Sequence, residues 1–241
     1  MPFGACDYHG SAADQLLGQP VVGCSVVAGG YLVCAADGAV LTFGAARYFG
    51  AATSSPLDHP VVGMATRDDG RGYWLVGADG SVYAFGAAEH FGSARSYPLE
   101  HPVVGMAAAP GGAGYWLVTR DGIVFDFGDV KADERLAPSD ISAPVAGIAG
   151  TADGGGYWIV LKDGAVFAFD NAEALGRADE SESAVVGIAA TGRKDGFFVA
   201  RSDGTVQGFG NAELHGDGRE RMFNRVVVGI AAGAARVSVG A

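Results

Sequence analysis

One phrase, Pro-Val-Val-Gly, returns along this chain at nearly constant spacing, and such self-similarity constrains the fold more than any other feature. It stands at residues 20–23, 60–63 and 102–105, and in altered form at 144–147, 184–187 and 226–229. An aromatic phrase follows five of the copies: Tyr31-Leu32-Val33, Tyr73-Trp74-Leu75-Val76, Tyr115-Trp116-Leu117-Val118, Tyr157-Trp158-Ile159-Val160 and Phe197-Phe198-Val199. Next comes an Asp-Gly pair, with aspartates at 37, 79, 121, 163 and 203, then an alternating stretch such as Val82-Tyr83-Ala84-Phe85-Gly86. A short fourth segment, for example His90-Phe91-Gly92, completes the unit.

Each phrase has strand chemistry, being short, rich in β-branched and aromatic residues, and bounded by Gly or Asp-Gly. Asp-Gly between two such runs predicts a two-residue type I′ hairpin, in which both central residues take positive φ. Helical periodicity is absent. Four short antiparallel strands, here termed a to d, every 40–45 residues describe a propeller blade. The expected fold is therefore all-β, a six-bladed β-propeller of four-stranded antiparallel blades, forming one domain over residues 1–241. The sixth blade is expected to be split between the chain ends. Residues 3–10 read as the end of strand c and strand d, while Val226–Gly229 supplies strand a and Val237-Ser238-Val239 strand b. Five blades with frayed ends is the alternative count.

Composition bounds the partners. Apolar residues at 49% and charged residues at 18% describe a globular chain, and 40 glycines without a collagen period point to many tight turns. Sixteen basic against 27 acidic side chains give a net charge of −11, which repels phosphate backbones and anionic membranes, so neither nucleic acid nor membrane is expected. The first residues lack the basic and apolar regions of a signal peptide, which points to the cytoplasm. An export signal already removed would instead place the protein in the cell envelope or outside the cell. Cys6, Cys24 and Cys34 show no metal-ligand spacing and read as reduced thiols, with a Cys24–Cys34 bridge as the alternative. A monomer is expected.

The repeated aromatics, Trp74, Trp116, Trp158 and Phe198, read as packing between blades, and the strand-a glycines as points of close approach near the axis. Hairpin chemistry accounts for the Asp-Gly aspartates. His9, His90 and His215 on strand d read as solvent-facing. Repeat three departs at Ala132-Asp133-Glu134, where other copies carry an apolar residue and Gly. The acidic run at 179–183 reads most simply as a solvated loop, with a weak cation site as the alternative.

Positions where the copies differ are the informative ones. Four residues before each strand-a glycine stand Gln19, His59, His101, Ala143, Ser183 and Arg225. The preceding ring is Gly18, Asp58, Glu100, Ser142, Glu182 and Asn224. In a propeller these d–a loops share one face with the b–c hairpins around the channel. Asp58 beside His59 and Glu100 beside His101 suit acid–base work near neutrality, and Arg225 suits an anionic group. No cofactor is expected, although two His with nearby carboxylates also suit a divalent metal. A polar residue leading into a strand on a solvated rim is the plainer reading. Metalloprotease, serine-hydrolase, phosphate-loop and Cys-x-x-Cys motifs are absent.

The unit running from Gly72-Tyr73-Trp74-Leu75-Val76 through Asp79-Gly80 and Phe85-Gly86 to Pro102-Val103-Val104-Gly105 resembles an actinobacterial propeller-type repeat. That repeat is built on GYWLV, DGGVFxFG and PVVGIA phrases. The resemblance covers nearly the whole chain, is strongest over 60–170, and implies a propeller. It implies no catalytic residues, and it associates the chain with exported cell-envelope proteins. Tachylectin-like lectins are a looser architectural analogue, whose sugar sites repeat nearly identically, unlike the ring here.

Three functions compete. The first is binding of one small molecule, glycan or peptide at the channel mouth formed by the d–a loops, with Arg225, Gln19, Ser183, Glu182 and Asn224 as contacts. The alternative is a stand-alone lyase, isomerase or hydrolase, with His59, His101, Asp58 and Glu100 as catalytic groups. A protein-interaction scaffold is the second alternative.

Overall fold

The structure, a computed structural model, describes residues 2–3, 8–12, 17–53, 56–192, 195–216, 218, 226–233 and 236–240. The repeat becomes a series of three-stranded antiparallel sheets. The first is β2 (Val21–Val27), β3 (Gly30–Ala35) and β4 (Val40–Gly44); the second is β5 (Val61–Thr66), β6 (Gly72–Gly77) and β7 (Val82–Gly86). The third is β8 (Val103–Ala108), β9 (Gly114–Thr119) and β10 (Val124–Gly128), and the fourth is β11 (Val145–Gly150), β12 (Gly156–Leu161) and β13 (Val166–Asp170). The fifth is β14 (Val185–Ala190), β15 (Gly196–Arg201) and β16 (Val206–Gly210). A further sheet joins the chain ends, with β1 (Pro2–Phe3) paired to β18 (Arg236–Gly240) and β18 to β17 (Gly229–Gly233). No described helix is long and apolar enough to cross a membrane.

The first strands of successive sheets stand side by side, and β17 neighbours both β14 and β2, so the row returns on itself. Glycine permits this approach. A Cβ on Gly23 would sit 3.3 Å from the Met64 nitrogen and 3.4 Å from the Gly63 Cα of the next strand. Trp74, Trp116 and Trp158 are fully buried and Phe198 nearly so, with the Trp74 ring 5.7 Å from that of Tyr115 in the following sheet. Burying such aromatics between sheets is the main source of cohesion here.

The fourth segment departs from expectation. It forms no strand, so the sheets hold three strands and not four. Its backbone groups are instead claimed by aromatic side chains. The Trp74 indole N–H donates to the Glu89 carbonyl of its own repeat at 2.7 Å, and Trp116 and Trp158 reach Lys131 and Glu173 in the same way at 2.8 Å. The neighbouring tyrosine works in the other direction. Tyr115 donates to the Gly92 carbonyl of the preceding repeat at 2.6 Å and accepts from the N–H groups of Phe91 and Gly92. Polar groups satisfied this way need no ladder.

The hairpins also differ from type I′. Gly38, Gly80, Gly122, Gly164 and Gly204 have positive φ, but the aspartates before them do not. In the first hairpin the Gly38 N–H bonds the Ala35 carbonyl and the Ala35 N–H bonds the Ala39 carbonyl, so a turn precedes a single left-handed glycine. The aspartate then serves as a side-chain acceptor: Asp37, Asp79, Asp163 and Asp203 each take the N–H two residues on.

Candidate functional site

At the end of the sheets where β5 begins, the chain is stitched from repeat to repeat. The Ala78 N–H bonds the Pro60 carbonyl, and the Ala78 carbonyl takes the Val103 N–H of the next sheet; Arg120 and Lys162 do likewise. The described members of the two polar rings lie here. Asp58 is exposed and pairs with Arg95 at 3.0 Å; Arg95 lies on the 3-10 turn Ala94–Ser96 and also reaches Asp79 at 3.4 Å. Ser142 donates to Asp163 at 2.5 Å, and the Ser183 side chain bonds Asp203. Burial works to raise the carboxyl of Asp79, but the hydroxyl and N–H of Ser81, with Arg95 and His59 nearby, hold it below its ordinary value. Asp163 and Asp203 are lowered in the same way, by Ser142 with Ala165 and by Thr205 with Ser183, against the opposing effect of burial.

His59, His101, Glu100, Glu182 and Gln19 are exposed, and Ser183 is half-buried. Among the described residues no hydrogen bond or ion pair joins His59 to Asp58, or His101 to Glu100. The charge of His59 acts instead on the hairpin carboxylate Asp79. Asn224 and Arg225 lie outside the described residues, as does Cys6. Cys24 and Cys34 form no disulfide, and burial pushes the Cys34 thiol up, so it is not a nucleophile at neutral pH. Among the described residues no group of three or more His, Cys, Asp or Glu is placed to hold a metal ion.

A cavity of about 820 Å³ opens at the opposite end, where the first strand of each sheet turns back into the second. Every first strand contributes its last residues, as Met64–Thr66 do from β5, and none of the described ring residues lines it. Its wall is unequal. One arc carries Ser25, Thr66 and Asp68, and extends over the β2–β3 turn to Tyr31 and His9. The facing arc is apolar, with Met106, Ile148, Ile188 and Ile230 each followed by small residues. Alanine and glycine leave space that larger side chains would fill, so the cavity is a direct consequence of these residues.

Sequence reasoning missed this arc. Ser25 stands where the other copies have Ala65, Ala107, Ala149, Ala189 and Ala231. The same search for disagreement between copies, applied two residues after the strand-a glycine, finds it.

A second cluster sits at the outer edge between the third and fourth sheets. Asp170 ends β13 with φ 55°, where Gly44, Gly86, Gly128 and Gly210 stand in the other sheets. One carboxylate oxygen, Oδ2, is buried with no partner, while the Asp170 N–H donates to Glu134 at 3.3 Å. Burial, with Asp133 and Glu134 adding repulsion, raises the Asp170 carboxyl above its ordinary value.

Compared with known proteins, the chain matches no protein-family model and no curated protein.

Proposed function

We propose that the chain is a six-bladed β-propeller that binds one small molecule in its axial cavity. The sheet shared by the chain ends and the ring of first strands support the count, as does the resemblance to the actinobacterial propeller repeat. The observation that carries the binding reading is the cavity itself. Its volume falls within the range of about 300–1,000 Å³ typical of small-molecule sites, and a few polar groups converge on an otherwise apolar wall. The acid–base alternative at the other end has less support. Asp58 is neutralised by Arg95, and the hairpin carboxylates are occupied by serines, which suits a structural role for that rim.

A thermal-shift screen with a library of neutral, cationic and anionic metabolites tests this. Hits are expected that disappear in Ala108→Phe or Ala190→Phe, which place bulk in the cavity, and persist in His101→Ala. Hits lost in His101→Ala but retained in both filled variants would move the site to the d–a loops. No hit of any class would remove the binding reading.

A further inference from the structure

The cavity has a chemical direction, and it selects a class of ligand. We propose that its occupant is an organic cation, a primary ammonium group on a compact apolar body, with the head on the Ser25, Thr66 and Asp68 arc. This inference rests on the binding reading above and deepens it.

The head comes first. The hydroxyls of Ser25 and Thr66 lie 2.7 Å apart and share one hydrogen bond, so the pair keeps acceptor lone pairs for a third group. Asp68 is exposed, and one of its oxygens takes the Gly111 N–H at 2.9 Å, which orients the carboxylate and leaves the other oxygen available. An ammonium supplies three donors, and this arc offers acceptors and one negative charge. Among the described lining residues there is no lysine or arginine, and Arg67 beside Asp68 is bonded to Asp69, so a carboxylate or phosphate ligand would meet no free counter-charge among them. The net charge of −11 adds a long-range field that draws cations and repels anions.

The body follows from the facing wall. Met106, Ile148, Ile188 and Ile230 with their alanine neighbours present apolar surface that gains from covering a hydrocarbon. The hydroxyls of Thr151 and Thr191 do not alter this, because each is bonded within its own turn, to Gly156 and Gly196 respectively.

Three probes of one shape separate the possibilities: cyclohexylmethylamine, cyclohexylmethanol and cyclohexanecarboxylate. Met64 and Met106 line the cavity, so their ¹³C-methyl resonances, assigned with Met64→Leu and Met106→Leu, report occupancy there. The amine is expected to bind about fivefold more tightly than the alcohol, the scale of one partly screened charge contact, and the carboxylate more weakly than either. Asp68→Asn, which keeps an acceptor for Gly111, should reduce amine affinity to that of the alcohol and leave the alcohol unchanged. If the alcohol or the carboxylate binds most tightly, or Asp68→Asn leaves the amine unaffected, the cation assignment falls while cavity binding stands. If none of the probes moves the two methyl signals, cavity binding and the cation assignment fall together.

Discussion

The hydroxyl of Ser25 lies 2.7 Å from that of Thr66, tying β2 to β5 on the polar side of the axial cavity. The two residues are 41 positions apart, about one repeat, and meet only because the first strands stand side by side. Thr66→Val should destabilise the protein by about 1 kcal/mol, since the partner hydroxyl is left partly buried and unpaired. Ser25→Ala combined with Thr66→Val should cost less than the sum of the single changes. Urea denaturation of the four proteins in a double-mutant cycle measures this, and strict additivity would show that the contact carries no energy.

Tyr115 should matter through its hydroxyl as much as through its ring. Tyr115→Phe removes the bonds to the Gly92 carbonyl and to the N–H groups of Phe91 and Gly92 without opening a cavity. A loss of about 1–3 kcal/mol is expected, with faster amide exchange at residues 91 and 92. Unchanged exchange there would mean that the fourth segment is held by something else.

Asp170→Gly should stabilise the protein. A left-handed φ of 55° strains a residue that carries a Cβ, and glycine stands at this position in four other sheets. Relief of that strain and of the unpartnered oxygen should yield about 1 kcal/mol at neutral pH. The sign with pH follows from the raised carboxyl. Its folded-state value lies above its unfolded one, so Asp170 destabilises when ionised, and this penalty vanishes as pH falls below the unfolded value. The advantage of the glycine variant should therefore shrink on acidification, leaving the backbone contribution. Thermal melts of both proteins between neutral and acidic pH will read it, and a gain that grows on acidification would contradict the assignment.

Arg201 is buried and donates to two backbone carbonyls, those of Ser183, at 2.6 Å, and Asp179. Arg201→Met keeps the length but strands both carbonyls, for an expected cost of about 2–3 kcal/mol. Enhanced exchange confined to residues 179–183 is the accompanying signature. Stability equal to the parent would show that water replaces the guanidinium.

His59→Ala and His101→Ala should each change stability by less than about 0.5 kcal/mol, as exposed substitutions generally do, and leave probe binding in the cavity unaltered. Calorimetry and the methyl resonances together measure both effects. A loss of binding would redirect attention to the d–a rim.

Much of this architecture is legible residue by residue. Alternation between β-branched and aromatic positions specifies β6 and β7, because a pleated strand turns successive side chains to opposite faces whatever lies beyond it. Gly23 and its counterparts announce close approach, and the chain ends carry the phrases that meet in one sheet. Other features depend on groups far apart in the chain. The residues around Phe91 look like a strand, yet Tyr115 and Trp74 take their backbone bonds from opposite sides. Asp58 looks like a partner for His59, yet Arg95, 37 residues on, reaches it first. The end of the channel that opens is also a collective property. Space remains where small residues from several strands converge at the far ends of the first strands. Three strands of each repeat, their faces and their recurrence can be read directly from the residues, since these follow from local periodicity. The place of the cavity and the polar side chains that face it emerge only when the sheets assemble, because a void is the sum of volumes contributed by distant segments.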